Sequence, residues 1–159
     1  MFSRVYIEIT NVCNMSCSFC HGHNREGRFM SPDEFREILD KLGGKTRYVY
    51  YHLMGEPLLH PELPLFIKEA SERGFHSVIT TNGTLLGKNG ESLIDSGVYK
   101  VNISLHSFEE DNPAAQEAAA YNTYNITAEF PNANDVNEIR EAILSLPNLA
   151  SQYIGRNIK

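Results

Sequence analysis

The sequence predicts an α/β fold built as a partial (β/α) barrel, TIM-like, with about five to six units of parallel strands. Three observations point to it. Strand-like and helix-like segments alternate from the N-terminus to about residue 108, which implies parallel strands joined by helical crossovers. Several strands are apolar on one side and polar on the other, whereas an open sheet covered on both faces reads as continuous apolar runs. The residue types suited to chemistry follow or end strands, where (β/α) folds build their sites.

The elements follow in order. VYIEIT (5–10) is a strand with Val5, Ile7 and Ile9 on one face and Tyr6, Glu8 and Thr10 on the other. SPDEFREILDKL (31–42) is a helix with Ser31 as N-cap, Pro32 at the first helical position, Glu34 closing a capping box and Gly43-Gly44 ending it. YVYYHLM (48–54) is a strand. PELPLFIKEASER (61–73) is a helix with Pro64 in its first turn and Gly74 as its stop. HSVITTN (76–82) is a strand, ESLIDS (91–96) a short helix, and KVNISLH (100–106) a strand with Val101, Ile103 and Leu105 on its apolar face. Beyond these the signal weakens. NPAAQEAAAY (112–121) is helix-compatible, TYNITAEF (123–130) reads as a strand, and DVNEIREAILSL (135–146) as a helix ended by Pro147.

Composition sets the bounds. The 159 residues suffice for one domain (1–159) with a real core, and 42% apolar with 21% charged is globular rather than disordered. A net charge of −6 argues against general binding to nucleic acid or anionic membranes. No segment reads as a signal peptide or a membrane span. Three clustered cysteines, an odd number, fit reduced thiols and a cytoplasmic location.

Those cysteines are Cys13, Cys17 and Cys20, within CNMSCSFCHGH (13–23). Several readings compete for them. A zinc Cys3His site would take His21 or His23 as its fourth ligand, but zinc sites usually split their ligands into two distant pairs, and there is no second pair. CSFCH (17–21) fits a haem attachment pattern. Small buried hydrophobes are the bland alternative, although three cysteines in eight polar-flanked residues are not spaced as core. An iron–sulfur cluster usually takes four thiolates. Three would leave one iron open to a small molecule.

The C-x3-C-x2-C spacing after the first strand, with Phe19 before the last cysteine, resembles the radical S-adenosylmethionine (SAM) superfamily. MGEPLLHPEL (54–63), ITTNGTLL (79–86) and NISLHS (102–107) resemble the segments at that superfamily's next three strands. The resemblance is strongest over residues 3–108. It implies that Cys13, Cys17 and Cys20 ligate a 4Fe–4S cluster and that SAM chelates the fourth iron. Phe19 would lie near the adenine. Gly55, Glu56 and Pro57 would sit at the methionine amino group, with Glu56 accepting its protons. Asn82 and Ser104 would line the SAM pocket. Reductive cleavage would give a 5′-deoxyadenosyl radical that takes hydrogen from a substrate.

Two positions depart from the pattern. Met54 stands where the superfamily often has its first glycine, which narrows the pocket. His106 stands where many members place a ribose-binding aspartate. CHGHNREG (20–27) resembles only faintly the cluster loop of glycyl-radical activating enzymes, and His21 and His23 read equally as solvated loop histidines.

The resemblance also implies a reductant such as a flavodoxin or ferredoxin. At roughly 30 residues per unit, six units need about 190, so the chain supplies about five. Unpaired edges beside the cavity then call for a protein partner, a macromolecular substrate or further chain to close the barrel. LASQYIGRNIK (149–159) is the remaining segment available to cover an edge. A truncated cluster-binding domain that only transfers electrons, or a non-catalytic metal-binding module, stands as the alternative.

Overall fold

The computed structural model describes residues 2–17, 20–104 and 125–129. Five strands form one sheet in the order β1-β2-β3-β4-β5: Val5–Tyr6, Tyr48–Tyr50, His76–Thr81, Lys100–Ser104 and Asn125–Glu129. Three helices connect the first four strands: α1 (Pro32–Leu42), α2 (Leu63–Glu72) and α3 (Leu86–Asp95). Strands β1 to β4 are parallel neighbours, as the alternation requires.

The fifth strand corrects one expectation, because it pairs antiparallel with β4, Lys100 opposite Glu129 and Ser104 opposite Asn125. Alternation of side chains has the same period in both directions, so the sequence carried no information on the sense of this strand. The helices expected at 112–121 and 135–146, and the 149–159 tail, lie outside the described residues.

The apolar faces read from the sequence become the core. Ile7, Ile9, Val49, Ile79, Val101 and Ile103 are buried on the helix-packed side of the sheet, against Phe35 and Leu39 of α1, Phe66 and Ile67 of α2, and Leu93 and Ile94 of α3. Phe35 and Phe66 stack across the α1–α2 contact, with ring centroids 4.2 Å apart. α1 begins as expected: Ser31 Oγ accepts from the Glu34 N–H, and the Glu34 carboxylate accepts from the Ser31 N–H. α3 is longer than the predicted 91–96. Gly87 and Gly90 weaken its local signal, but Leu86, Gly90, Leu93 and Ile94 form one buried stripe, and packing overrides propensity.

The first strand is shorter than predicted. After Ile7, whose N–H donates to Tyr50 O, the chain leaves β2 and pairs with a returning segment, Met30 N–H donating to Ile9 O and Thr10 bridging Phe29. Residues 11–28 are thereby looped out from the C-terminal end of β1 with their two ends held together. The opposite face of the sheet carries rings. Tyr6, Tyr50 and His52 form one contact group, and Tyr48, His76 and Tyr99 another.

Candidate active site

Three side chains, Thr10, Asn11 and His23, hold the base of the 11–28 loop. Asn11, 5% exposed, donates from Nδ2 to Glu26 O and accepts at Oδ1 from the Arg28 N–H. Thr10 Oγ1 adds a bond to Arg28 O. His23 Nε2 donates to Asn11 O at 2.7 Å, which fixes the proton on that nitrogen because a carbonyl can only accept. Arg25 forms a two-bond pair with Glu8 on the ring-bearing face of the sheet, and the guanidinium holds the Glu8 carboxyl below its ordinary range.

Within this loop Cys13 and Cys20 are exposed and Cys17 is half-buried. Two sulfurs already accept backbone N–H donors: Met15 N to Cys13 Sγ and Gly22 N to Cys20 Sγ, both at 3.4 Å. Among the described residues no three His, Cys, Asp or Glu side chains converge on one point as a single metal ion would require. The ligands of a cubane cluster sit on different irons and need no common point. His23, with Nε2 committed to Asn11, does not offer that nitrogen as a zinc ligand.

The β2 loop packs directly onto the start of the cysteine loop. Gly55 has φ +79, and a Cβ there would lie 2.6 Å from Thr10 O and 2.9 Å from two Asn11 backbone carbons. Only glycine permits that approach. The next residue donates from Glu56 N to Val12 O at 2.8 Å.

Glu56 itself is 2% exposed, and its carboxylate receives three donors: Leu58 N at 2.9 Å, Thr81 Oγ1 at 2.7 Å and Asn82 N at 2.7 Å. Burial pushes this carboxyl upward in pKa while the three donors pull against it. Its first task is therefore to join the β2 and β3 loops. A carboxylate has about four lone-pair sites, so one remains for a ligand. Pro57 is buried in the short 3₁₀ turn that follows and is not on the cavity wall.

A cavity of about 610 Å³ lies at the C-terminal ends of the strands. The loop after β1 contributes Cys13, Cys17 and Cys20, and the loop after β2 contributes Met54, Gly55 and Glu56. Asn82 from the end of β3 and Ser104 from β4 complete the wall. Seven of the ten positions singled out from the sequence thus meet in one place. Of the other three, Pro57 does not reach the wall, and Phe19 and His106 lie outside the described residues. A smaller cavity of about 350 Å³ sits at the other end of the sheet among Tyr48, Tyr50, Tyr99, Arg4 and Lys100, and no cysteine reaches it.

Two residues on or beside the wall gave no sequence signal as chemistry. His52 lies on it, with its ring edge-on to Tyr6 and Tyr50. Its Nδ1 is buried without a hydrogen-bond partner among the described residues, and burial lowers its pKa to about 4, so the imidazole is neutral. Asn14 holds the cysteine loop to the β3 loop through Asn82 and Thr84. The alternation of β2 puts residue 52 on the ring-bearing side, but its fit between two rings is a tertiary fact.

Comparison with known proteins places the chain in a family. The sequence model of the radical SAM superfamily matches residues 7–146. The chain belongs to the radical SAM superfamily. That superfamily uses a 4Fe–4S cluster together with SAM.

Among curated relatives, a probable GTP 3′,8-cyclase of Methanococcus maripaludis is 36% identical over 110 residues, covering 66% of this chain and 37% of the relative. A cofactor-modifying protein for the tungsten-containing aldehyde ferredoxin oxidoreductase of Pyrococcus furiosus is 39% identical over 87 residues, 52% of this chain and 24% of that protein. A crystal structure of BtrN in complex with AdoMet and 2-DOIA shares the fold, with a TM-score of 0.59 at 24% identity over 74% of this chain and 55% of that one. The chain spans about a third of the length of the cyclases it matches. No helix among the described residues is long and apolar enough to cross a membrane.

Proposed function

We propose that this radical SAM chain holds a 4Fe–4S cluster on Cys13, Cys17 and Cys20, keeps one iron for SAM, and cleaves SAM reductively to act on an organic substrate. The observation that carries the reading is that a single loop supplies three thiols to the same cavity wall as Gly55, Glu56, Asn82 and Ser104. When bound, the cluster and SAM supply a 5′-deoxyadenosyl radical able to abstract hydrogen.

The chain's own residues do the rest. Gly55 lets the β2 loop press against the backbone of the cysteine loop, so the methionine side of the pocket and the cluster share one support. Glu56, already fixed by three donors, would face an ammonium group with little cost in reorganisation. His52, neutral and wedged between rings, offers the cavity a polar edge without a charge. The sequence given holds three cysteines, which supports a cluster with one iron left open to SAM.

The matched relatives carry different reactions in their names, a nucleotide cyclisation and a cofactor modification, so what they share is the radical-generating chemistry. Electron supply by a flavodoxin or ferredoxin fits the exposure of Cys13 and Cys20 at the surface. Closure of the ring-bearing side by a partner, a macromolecular substrate or further chain fits the 41% exposure of Tyr6.

Iron and sulfide analysis after anaerobic reconstitution tests the ligand set. Cys13→Ala, Cys17→Ala and Cys20→Ala should each lose the cluster absorbance, while His21→Ala and His23→Ala retain it. Loss of the cluster in either histidine variant would supply a fourth protein ligand and remove the open iron.

A further inference from the structure

The residue after the first cysteine is tied to the cavity by a closed ring of hydrogen bonds. Asn14 Nδ2 donates to Thr84 Oγ1 at 2.9 Å. Thr84 Oγ1 donates to Asn82 Oδ1 at 2.7 Å. Asn82 Nδ2 donates back to Asn14 Oδ1 at 2.9 Å. Each side chain gives one hydrogen bond and takes one around the ring. The Thr84 N–H, at 3.0 Å from Asn82 Oδ1, fixes which end of the Asn82 amide is oxygen. That assignment fixes the rest, since Asn82 must donate through Nδ2 to Asn14 Oδ1.

The ring joins two sides of the site. Asn82 lies on the cavity wall, and its own N–H donates to Glu56. Asn14 is covalently next to Cys13. The remaining hydrogen bonds seen in the cysteine segment are local: Met15 N to Cys13 Sγ, Cys20 N to Cys17 O and Gly22 N to Cys20 Sγ. The staples at Thr10, Asn11 and His23 hold only the base of the loop. Among the described residues of 13–20, the hydrogen bonds that leave the loop come from Asn14.

We infer that Asn14 is a positioning residue, which locks the Cys13 arm of the loop to the β3 loop so that the open iron and the wall that receives SAM keep one relative geometry. The inference rests on the proposed function and adds to it a residue that touches neither cluster nor SAM. Without the ring, the segment from Cys13 to Cys20 keeps only the tie of its neighbour Val12 to Glu56 N, and nothing among the described residues joins it by a hydrogen bond to the β3 loop. The cluster would still form on three thiols, but its open iron would no longer be held facing Asn82 and Glu56. Chelation by SAM needs both at once, so binding should suffer before cluster assembly does.

The test uses the reconstituted, reduced protein, with SAM as the probe and two readouts: the low-temperature electron paramagnetic resonance spectrum with and without SAM, and SAM affinity by calorimetry. Asn14→Ala should retain the iron and sulfide content and the SAM-free spectrum of the wild type. It should bind SAM about tenfold more weakly, as expected for the loss of two hydrogen bonds at a partly exposed site, with a diminished spectral response. Thr84→Val, remote from the cysteines, leaves the Asn14–Asn82 bond and should shift both readouts the same way by less. The double variant should be no worse than Asn14→Ala, because both residues serve one ring. Wild-type affinity and spectral response in Asn14→Ala would overturn the inference. So would loss of iron in Asn14→Ala with normal SAM binding in Thr84→Val. A wild-type cluster that ignores SAM would overturn the proposed function, and this inference with it.

Discussion

Replacing Gly55 by alanine perturbs one atom at the joint between the two loops that build the site. Two costs can be separated. The first is conformational: at φ +79 an L-residue pays about 1–2 kcal/mol for a left-handed backbone. The second is steric. The new Cβ would lie 2.6 Å from Thr10 O and 2.9 Å from Asn11 C and Cα, all backbone atoms, so no side chain can swing away. The chain must part there, and the Glu56 N to Val12 O bond at 2.8 Å goes with it, a further loss of about 0.5–1.5 kcal/mol.

Gly44 is the internal control. It has φ +69, and a methyl group added there would meet nothing within 4 Å among the described residues, so Gly44→Ala pays only the first cost. Denaturant unfolding of the two variants should show Gly55→Ala the less stable by at least about 1 kcal/mol beyond Gly44→Ala, with the greater loss of cluster loading after reconstitution. Equal destabilisation of both variants would refute the close approach of the β2 loop to the cysteine loop.

Two further outcomes follow from buried groups. Glu56→Gln replaces a carboxylate that receives three donors with an amide having one oxygen. The cluster-free chain should lose about 1.5–3 kcal/mol in denaturant unfolding, and an unchanged midpoint would show that Glu56 serves only a ligand. His52 titrates near 4 when folded, against an ordinary 6.5. The unfolded chain therefore takes up a proton as pH falls through about 6.5 while the folded chain does not, and stability is lost between there and about 4. His52→Phe removes this loss. Its stability advantage over wild type should grow by up to about 2 kcal/mol between pH 7 and pH 5, and parallel pH profiles would contradict the burial of that ring.

Much of this site was legible because its parts are local in sequence. The cysteine spacing, the Gly55-Glu56 pair and Asn82 can each be read within a few residues, and the capping box of α1 needs only Ser31 and Glu34. What was missed is non-local or sign-blind. The direction of β5 leaves no mark on a period-two pattern. The partnership of Asn14 with residues 82 and 84 spans about seventy positions. The sequence did not show that Gly55 meets backbone of the cysteine loop, a contact about 45 positions away. Glu56 was expected to accept from a ligand ammonium, and the sequence did not show the three donors from its own and the neighbouring loop that also meet it, as its burial requires.

The central claim is that three thiols and one cavity suffice to bind and cleave SAM. Its most direct test is the release of 5′-deoxyadenosine from the anaerobically reconstituted chain with SAM and dithionite, followed by chromatography. The wild type should give 5′-deoxyadenosine and methionine in equal amounts, and Cys13→Ala, Cys17→Ala and Cys20→Ala should give none. A wild-type protein that carries a full cluster yet leaves SAM intact, with the reductant shown to reduce the cluster, would contradict it.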